Sequence, residues 1–156
     1  DGNNVANSLI EAAAKMGMTI TLGCPVGYQP EQHVVDRARV EAAKTGAVIE
    51  IGHDPHVAAK EADIIYTDVW ISMGREREHA RRLKVLAPYQ VNSRLLHRAK
   101  PDAIVMHCLP AHRGEEISAE VLDGPQSVVI DQAENRLHMQ KAILTNLLDK
   151  RSRTKR

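Results

Sequence analysis

Apolar positions along the chain fall into two spacings that take turns. Val5, Leu9, Ile10, Ala13 and Met16 recur at helical intervals, with Asn3 or Asn4 available as N-cap and Gly17 as the stop, which predicts a helix over Val5–Met16. Met18–Leu22 is a short continuous apolar run, read as a strand that empties into the Gly- and Pro-rich loop GCPVGY. The handover then repeats. A helix over Pro30–Thr45 is closed by Gly46, a strand over Ala47–Ile51 ends in GHDPH, and a short helix over Pro55–Ala62 precedes a strand over Asp63–Thr67 that ends in DVWISMG. A charged helix over Glu76–Leu86, a short helix over Asn92–Ala99 and a strand over Ala103–Met106 follow, then a strand over Ser127–Ile130 and a long helix over Asp131–Leu148.

Strands that are continuous apolar runs, alternating with helices, belong to a parallel sheet covered on both faces. The expected fold is therefore a single doubly wound, mainly parallel α/β domain of Rossmann-like type over residues 1–149, with a basic flexible tail over 150–156. No period of 20 to 50 residues repeats, which excludes a solenoid. In open α/β sheets ligands collect at the carboxyl ends of strands. Asn4, His53, Asp68, Cys108 and Asp131 each stand where a strand hands over to a helix or loop. One such residue is an ordinary cap; five on one edge predict a binding edge.

Composition narrows the function classes. With 156 residues, 43% hydrophobic and 26% charged, the chain is globular, and a net charge of +1 supplies no field for nucleic acid or a membrane surface. The tail Lys150–Arg156 is a local basic exception that reads as a solvated terminus. Cys24 and Cys108 have no partner spacing, so neither a disulfide framework nor a zinc site is indicated, and a reducing compartment, the cytoplasm, is expected. No run approaches the roughly 20 apolar residues of a membrane span. Opening in the turn Asp1–Asn4 immediately before a helix, the chain is expected to be cut from something longer.

The candidate chemistry lies in three strings. Met106–Gly114, MHCLPAHRG, places His, Cys, His and Arg directly after an apolar strand. Cys108 there has two readings: a small core residue, or a partly exposed thiol whose pKa falls beside a cation or helix N-terminus. Pro110 brings no amide hydrogen, which leaves the Leu109 carbonyl free to face a ligand and permits a cis bond. In DVWISMG, Asp68 can receive an ammonium group, Ser72 can add a hydroxyl, and Gly74 lets the Met73 backbone approach a small molecule. In DQAENRLHMQKA, Arg136 can reach over the sheet edge towards an anionic or carbonyl oxygen, with Glu134 orienting it or favouring the helix N-terminus; a lone arginine there also fits a surface charge. A GxGxxG fingerprint, a Walker A sequence and a GxSxG elbow are all missing.

DGNNVANSL, DVWISMG, MHCLPAHRGEEI and DQAENRLHMQKA, in this order and spacing, together resemble the ornithine-binding half of the ornithine carbamoyltransferases, over Asp1 to about Leu148. The aspartate carbamoyltransferases are similar in fold but have a proline where Cys108 stands. The resemblance implies transfer of a carbamoyl group from carbamoyl phosphate to the δ-amine of L-ornithine, giving citrulline and phosphate in arginine metabolism, with no metal or organic cofactor. It implies that Asn4 meets the ornithine carboxylate side, Asp68 and Ser72 the α-ammonium, and Met73 contributes through its backbone. Cys108 would lie beside the δ-amine and carbamoyl carbon, the Leu109 carbonyl would hold the carbamoyl amino group, and Arg136 would polarise the carbamoyl oxygen.

An amine near pKa 10.4 is almost wholly protonated at neutral pH, so such a site must accept a proton as the amine attacks. Cys108 with Asp68 is the expected acceptor and Arg136 the oxyanion stabiliser. The family's other half, with its Ser-Thr-Arg-Thr phosphate loop and a histidine, has no counterpart in residues 1 to 156. This chain alone is therefore expected to be inactive or nearly so, and the full-length protein to form homotrimers or higher homo-oligomers. Two alternatives stay open: a relative acting on putrescine or N-acetylornithine, against which the string SMG speaks, and a non-enzymatic α/β ligand-binding module.

Overall fold

The computed structural model describes residues 1–71 and 78–149. Ser72, Met73 and Gly74, the first residues of the expected helix Glu76–Leu86, and the tail 150–156 lie outside the described residues. Helices and strands alternate as the apolar pattern requires: α1 (Asn4–Met16), β1 (Thr19–Gly23), α2 (Gln32–Thr45), β2 (Val48–Gly52), α3 (Pro55–Ala58), β3 (Ile64–Thr67), α4 (His79–Leu86), α5 (Ser93–Leu96), β4 (Ile104–His107), α6 (Ala119–Leu122) and α7 (Val129–Leu148). A 3-10 turn over Ala87–Tyr89 joins α4 to the segment before α5.

The strands form two parallel ribbons. β1 pairs with β2 in the register Thr19↔Val48 to Gly23↔Gly52, and β3 with β4 from Ile64↔Ile104 to Thr67↔His107. Each ribbon has its own core. Ile10 and Ala14 of α1, with Ala38 and Ala42 of α2, close over Ile49 of β2, while Leu95, Val121 and Leu122 pack with Ile65 and Val105 of the second ribbon. Small alanines at the α1 and α2 contact let the two helix backbones approach each other closely.

The two halves meet through side chains at their loops. Arg82 on α4, only 3% exposed, donates to the Trp70 carbonyl, pairs with Asp1, and lies over the Tyr28 ring at 5.2 Å. Gly2 slots against the loop beyond β1, its amide donating to the Tyr28 carbonyl. A Cβ on Gly2 would stand 2.0 Å from the Pro30 nitrogen, so no other residue fits that approach.

One expected element is absent. Ser127–Ile130 is not a strand: Ser127 forms a single parallel bridge to Val105, and Val129 already opens α7. The β-branched run Val128, Val129, Ile130 has strand propensity, but the chain touches β4 through only two bonds, Val105 N–H to the Gln126 carbonyl and Val128 N–H to the Val105 carbonyl, before it coils away. Helix α3 also stops at Ala58 rather than Ala62, and the turn beyond it takes Glu61 to a positive φ of 55°. On α7 the apolar residues Leu137, Met139, Ile143, Leu144 and Leu147 are all at least half exposed.

Candidate active site

The β3–β4 register builds the site. Thr67 faces His107 as the last pair of the ladder, so the next residue on each strand, Asp68 and Cys108, emerges side by side at the carboxyl edge. The Cys108 thiol donates to Asp68 Oδ1 at 2.8 Å. Asp68 also accepts from its neighbour's amide, Val69 N–H at 2.7 Å, and through Oδ2 from Asn3 Nδ2 at 2.8 Å. Asn3 in turn accepts the Ala6 amide on Oδ1 at 3.0 Å, which makes it the N-cap of α1. Both ends of one amide are thus committed, and the first helix is tied to the carboxylate of the second ribbon.

Of the two candidates for that cap, Asn3 takes the role, and Asn4 becomes the first, exposed residue of α1. Asn4 lines a recess of about 530 Å³ together with Asn3, Tyr28, Gln29, Arg81 and Arg82. A second concavity of about 370 Å³ lies against Leu109 and the start of α7, bounded by Ala111, Leu122, Val129 and Ile130.

The electrostatics of Cys108 run opposite to the lowered pKa considered for it. Among the described residues no cation or helix N-terminus meets the sulfur. Burial, then the hydrogen bond to Asp68 and that carboxylate's charge, push the thiol up to about 12, so it holds its proton and acts as a donor. Tyr66 on β3, two residues before Asp68 and on the same face, is raised by burial and by its nearness to Cys108. Its hydroxyl accepts from Gln132 Nε2 at 3.2 Å, and Gln132 Oε1 accepts the His107 amide at 3.0 Å. This pins the first turn of α7 to the end of β4.

Arg136 stands one turn beyond Gln132, on the same helix face and exposed. Among the described residues nothing pairs with it. Glu134 bonds His138 at 3.2 Å rather than orienting Arg136. Arg113 is spent on a two-pronged surface pair with Asp123 at 2.8 and 3.0 Å. His53 holds the Cys24 carbonyl at 2.9 Å in the first ribbon, and Asp131 is exposed on α7; neither joins Asp68 and Cys108 through a hydrogen bond. Ser72 and Met73 lie outside the described residues.

The Leu109–Pro110 peptide is cis, and Leu109 has a φ of +56°. Among the described residues nothing donates to the Leu109 carbonyl oxygen. Beneath this loop His107 and Glu116 form a buried hydrogen-bonded pair at 3.1 Å. His112, Glu115 and Glu116 have ligand atoms within 4.8 Å of one another, the one grouping among the described residues able to share a metal ion. Tyr66, Gln132, Glu116 and Arg82 were missed by sequence reasoning, and Asn3 was read only as a possible cap. Of the four, Tyr66 alone had a signal, its two-residue spacing from Asp68.

A carboxylate, a protonated thiol and a carbonyl with no donor among the described residues stand together at the ends of neighbouring parallel strands. Comparison with known proteins gives the class. The family model for the aspartate/ornithine carbamoyltransferase Asp/Orn binding domain matches residues 1–147, and the chain belongs to that family. It is 57% identical over 149 residues to the ornithine carbamoyltransferase of Chlorobaculum tepidum, covering 96% of this chain and 43% of that protein. Against the Syntrophus aciditrophicus ornithine carbamoyltransferase it is 59% identical over 95% of this chain and 48% of the relative. The solved ornithine carbamoyltransferase of Pyrococcus furiosus superposes with a TM-score of 0.89 at 54% identity, covering 93% of this chain and 46% of that one. An N-acetyl-L-ornithine transcarbamylase superposes at 0.79 with 33% identity, covering 92% and 44%. The chain spans about half the length of the curated relatives it matches. Among the described residues no helix is long and apolar enough to cross a membrane.

Proposed function

We propose that this chain is the amino-acid-binding half of an ornithine carbamoyltransferase. The observation that carries the reading is the Cys108–Asp68 contact of 2.8 Å at the carboxyl edge of paired strands. The full-length protein joins L-ornithine to carbamoyl phosphate: the δ-nitrogen forms a bond to the carbamoyl carbon, the bond from that carbon to the phosphate oxygen breaks, and citrulline and phosphate leave.

Asp68 meets the α-ammonium together with Ser72, Asn4 faces the carboxylate side, and Met73 contributes through its backbone. The δ-ammonium loses one proton before its nitrogen can attack, and the nitrogen loses a second, to the departing phosphate, as the carbon–nitrogen bond forms. Cys108, holding its own proton at rest, hands it to Asp68 along the existing hydrogen bond as it takes the first of these protons, so the pair rather than a free thiolate is the acceptor. The Leu109 carbonyl receives the carbamoyl amino group, and Arg136, without a partner among the described residues, stabilises the charge that develops on the carbamoyl oxygen.

Ornithine is favoured over an acetylated substrate on two grounds. The curated relatives named ornithine carbamoyltransferase stand at 54–59% identity and the solved ones at 36–54%, against 33% for the solved N-acetyl-L-ornithine enzyme. A free ammonium also needs a carboxylate such as Asp68, whereas an acetamide carries no charge to meet it. Two free thiols fit a reducing compartment, the cytoplasm. Assembly as a homotrimer belongs to the same reading and is measurable by light scattering of the full-length protein.

The test is turnover of the full-length protein with carbamoyl phosphate and each of ornithine, N-acetylornithine and putrescine, with Asp68→Ala as control. Citrulline formed from ornithine alone, and lost in Asp68→Ala, is the expected result. Equal rates with putrescine, or an Asp68→Ala variant as active as the parent, would sink the assignment.

A further inference from the structure

We propose that the buried His107–Glu116 pair positions Cys108 and Leu109 for carbamoyl transfer, an inference that rests on the function proposed above. His107 is the last residue of β4 and is 1% exposed; Glu116 is wholly buried. The Leu109 amide, which can only donate, bonds His107 Nδ1 at 2.8 Å. That contact assigns the lone pair to Nδ1 and the ring proton to Nε2, which donates to Glu116 Oε1 at 3.1 Å. The same carboxylate oxygen accepts the His112 amide at 2.6 Å.

One buried oxygen therefore ties both limbs of the loop that carries the reactive groups, the outgoing limb through the imidazole and the returning limb directly. The ring bridges from residue 107 to residue 109 and so spans Cys108. Leu109 is held at a φ of +56°, a region a leucine adopts only under constraint from its surroundings. Its orientation decides where its carbonyl oxygen points, and that oxygen has no donor among the described residues. The bond to His107 is the constraint on hand.

A purely structural role fits these groups poorly. Val105 and Ile117 around them are fully buried apolar residues, and an apolar pair of similar volume would fill the same space without the desolvation cost of two polar groups. What an apolar pair cannot do is fix the direction of two amides.

Two substitutions in the full-length protein separate positioning from stability. In His107→Asn the side-chain oxygen takes the place of Nδ1 and still accepts the Leu109 amide, but nothing reaches Glu116. In His107→Gln the side-chain nitrogen takes the place of Nε2 and still donates to Glu116, but the Leu109 amide is left unmet. Positioning predicts that His107→Gln, although the more heat-stable of the two, has a kcat/KM for carbamoyl phosphate about five- to tenfold below that of His107→Asn, the loss that goes with one hydrogen bond. The KM for ornithine stays within twofold of the parent in both, with activities expressed per folded molecule by near-ultraviolet circular dichroism. A His107→Gln variant as active as His107→Asn, or activities that simply follow the melting temperatures, would overturn the positioning role. A parent protein that forms no citrulline overturns the proposed function instead.

Discussion

Replacing Asp68 with asparagine should make Cys108 more reactive, although it removes the group that the proposed chemistry needs most. Three effects hold the thiol at about 12 against an ordinary value of 9.0: burial first, then the hydrogen bond to Asp68 and that carboxylate's charge. At pH 8 this leaves about one thiol in ten thousand ionised, against about one in ten for an unperturbed cysteine. Asp68→Asn keeps the shape and the burial but removes the charge. If the carboxylate supplies one of the three decades, the thiolate population rises about tenfold. Because a thiolate of lower pKa is a weaker nucleophile, with a Brønsted coefficient of about 0.4–0.5, the net gain in alkylation rate is about threefold. The assay is pseudo-first-order modification by iodoacetamide at pH 8, read at the Cys108 peptide by mass spectrometry, which keeps it apart from the fully buried Cys24. Modification of Asp68→Asn at the parent rate or slower would refute the claim that Asp68 keeps this thiol protonated.

The same shift makes stability depend on pH. The folded chain holds the Cys108 proton above the pH at which the unfolded chain releases it, so the contribution is fully present below pH 9 and is lost as pH rises towards about 12. Urea midpoints measured at pH 8 and pH 10.5 should therefore fall less in Cys108→Ala than in the parent. Asn3→Ala removes the α1 cap and the amide that meets Asp68, with an expected loss of about 1 kcal/mol or more in the same titration. In Gly2→Ala the new methyl would sit 2.0 Å from the Pro30 nitrogen and 2.3 Å from the Gln29 carbonyl carbon, so the segment must part from that loop. A loss of about 1–3 kcal/mol is expected, seen as a lower melting temperature; an unchanged one would show that the contact is not made.

The helices and strands were legible because burial imposes its period on sequence regardless of partners. α1, with Ile10, Ala13 and Ala14 inward, and β3, a continuous apolar run, form where their patterns place them. The failure at Ser127–Ile130 is instructive. β-branched residues there satisfy the local preference for a strand, but a strand needs a ladder, and the chain stays beside β4 for a single bridge. Asp68, Cys108 and the Leu109 carbonyl were readable as chemistry at strand ends. Their side chains' states were not: a thiol that the loop composition allowed to be activated is held protonated by the carboxylate it meets.

Residue order determined the element types, the edge on which polar loops gather and the strings shared with the family, since each depends on neighbours a few positions away. Tertiary structure alone decided that Asn3 rather than Asn4 reaches Asp68, 65 residues on, that Arg82 is buried among Asp1, Tyr28 and Trp70, and that one oxygen of Glu116 holds both limbs of the loop after β4. These contacts follow from the parallel register of β3 and β4 and from where helix ends dock. A hydrogen bond depends on distances of a few tenths of an ångström that no local pattern of residue types encodes.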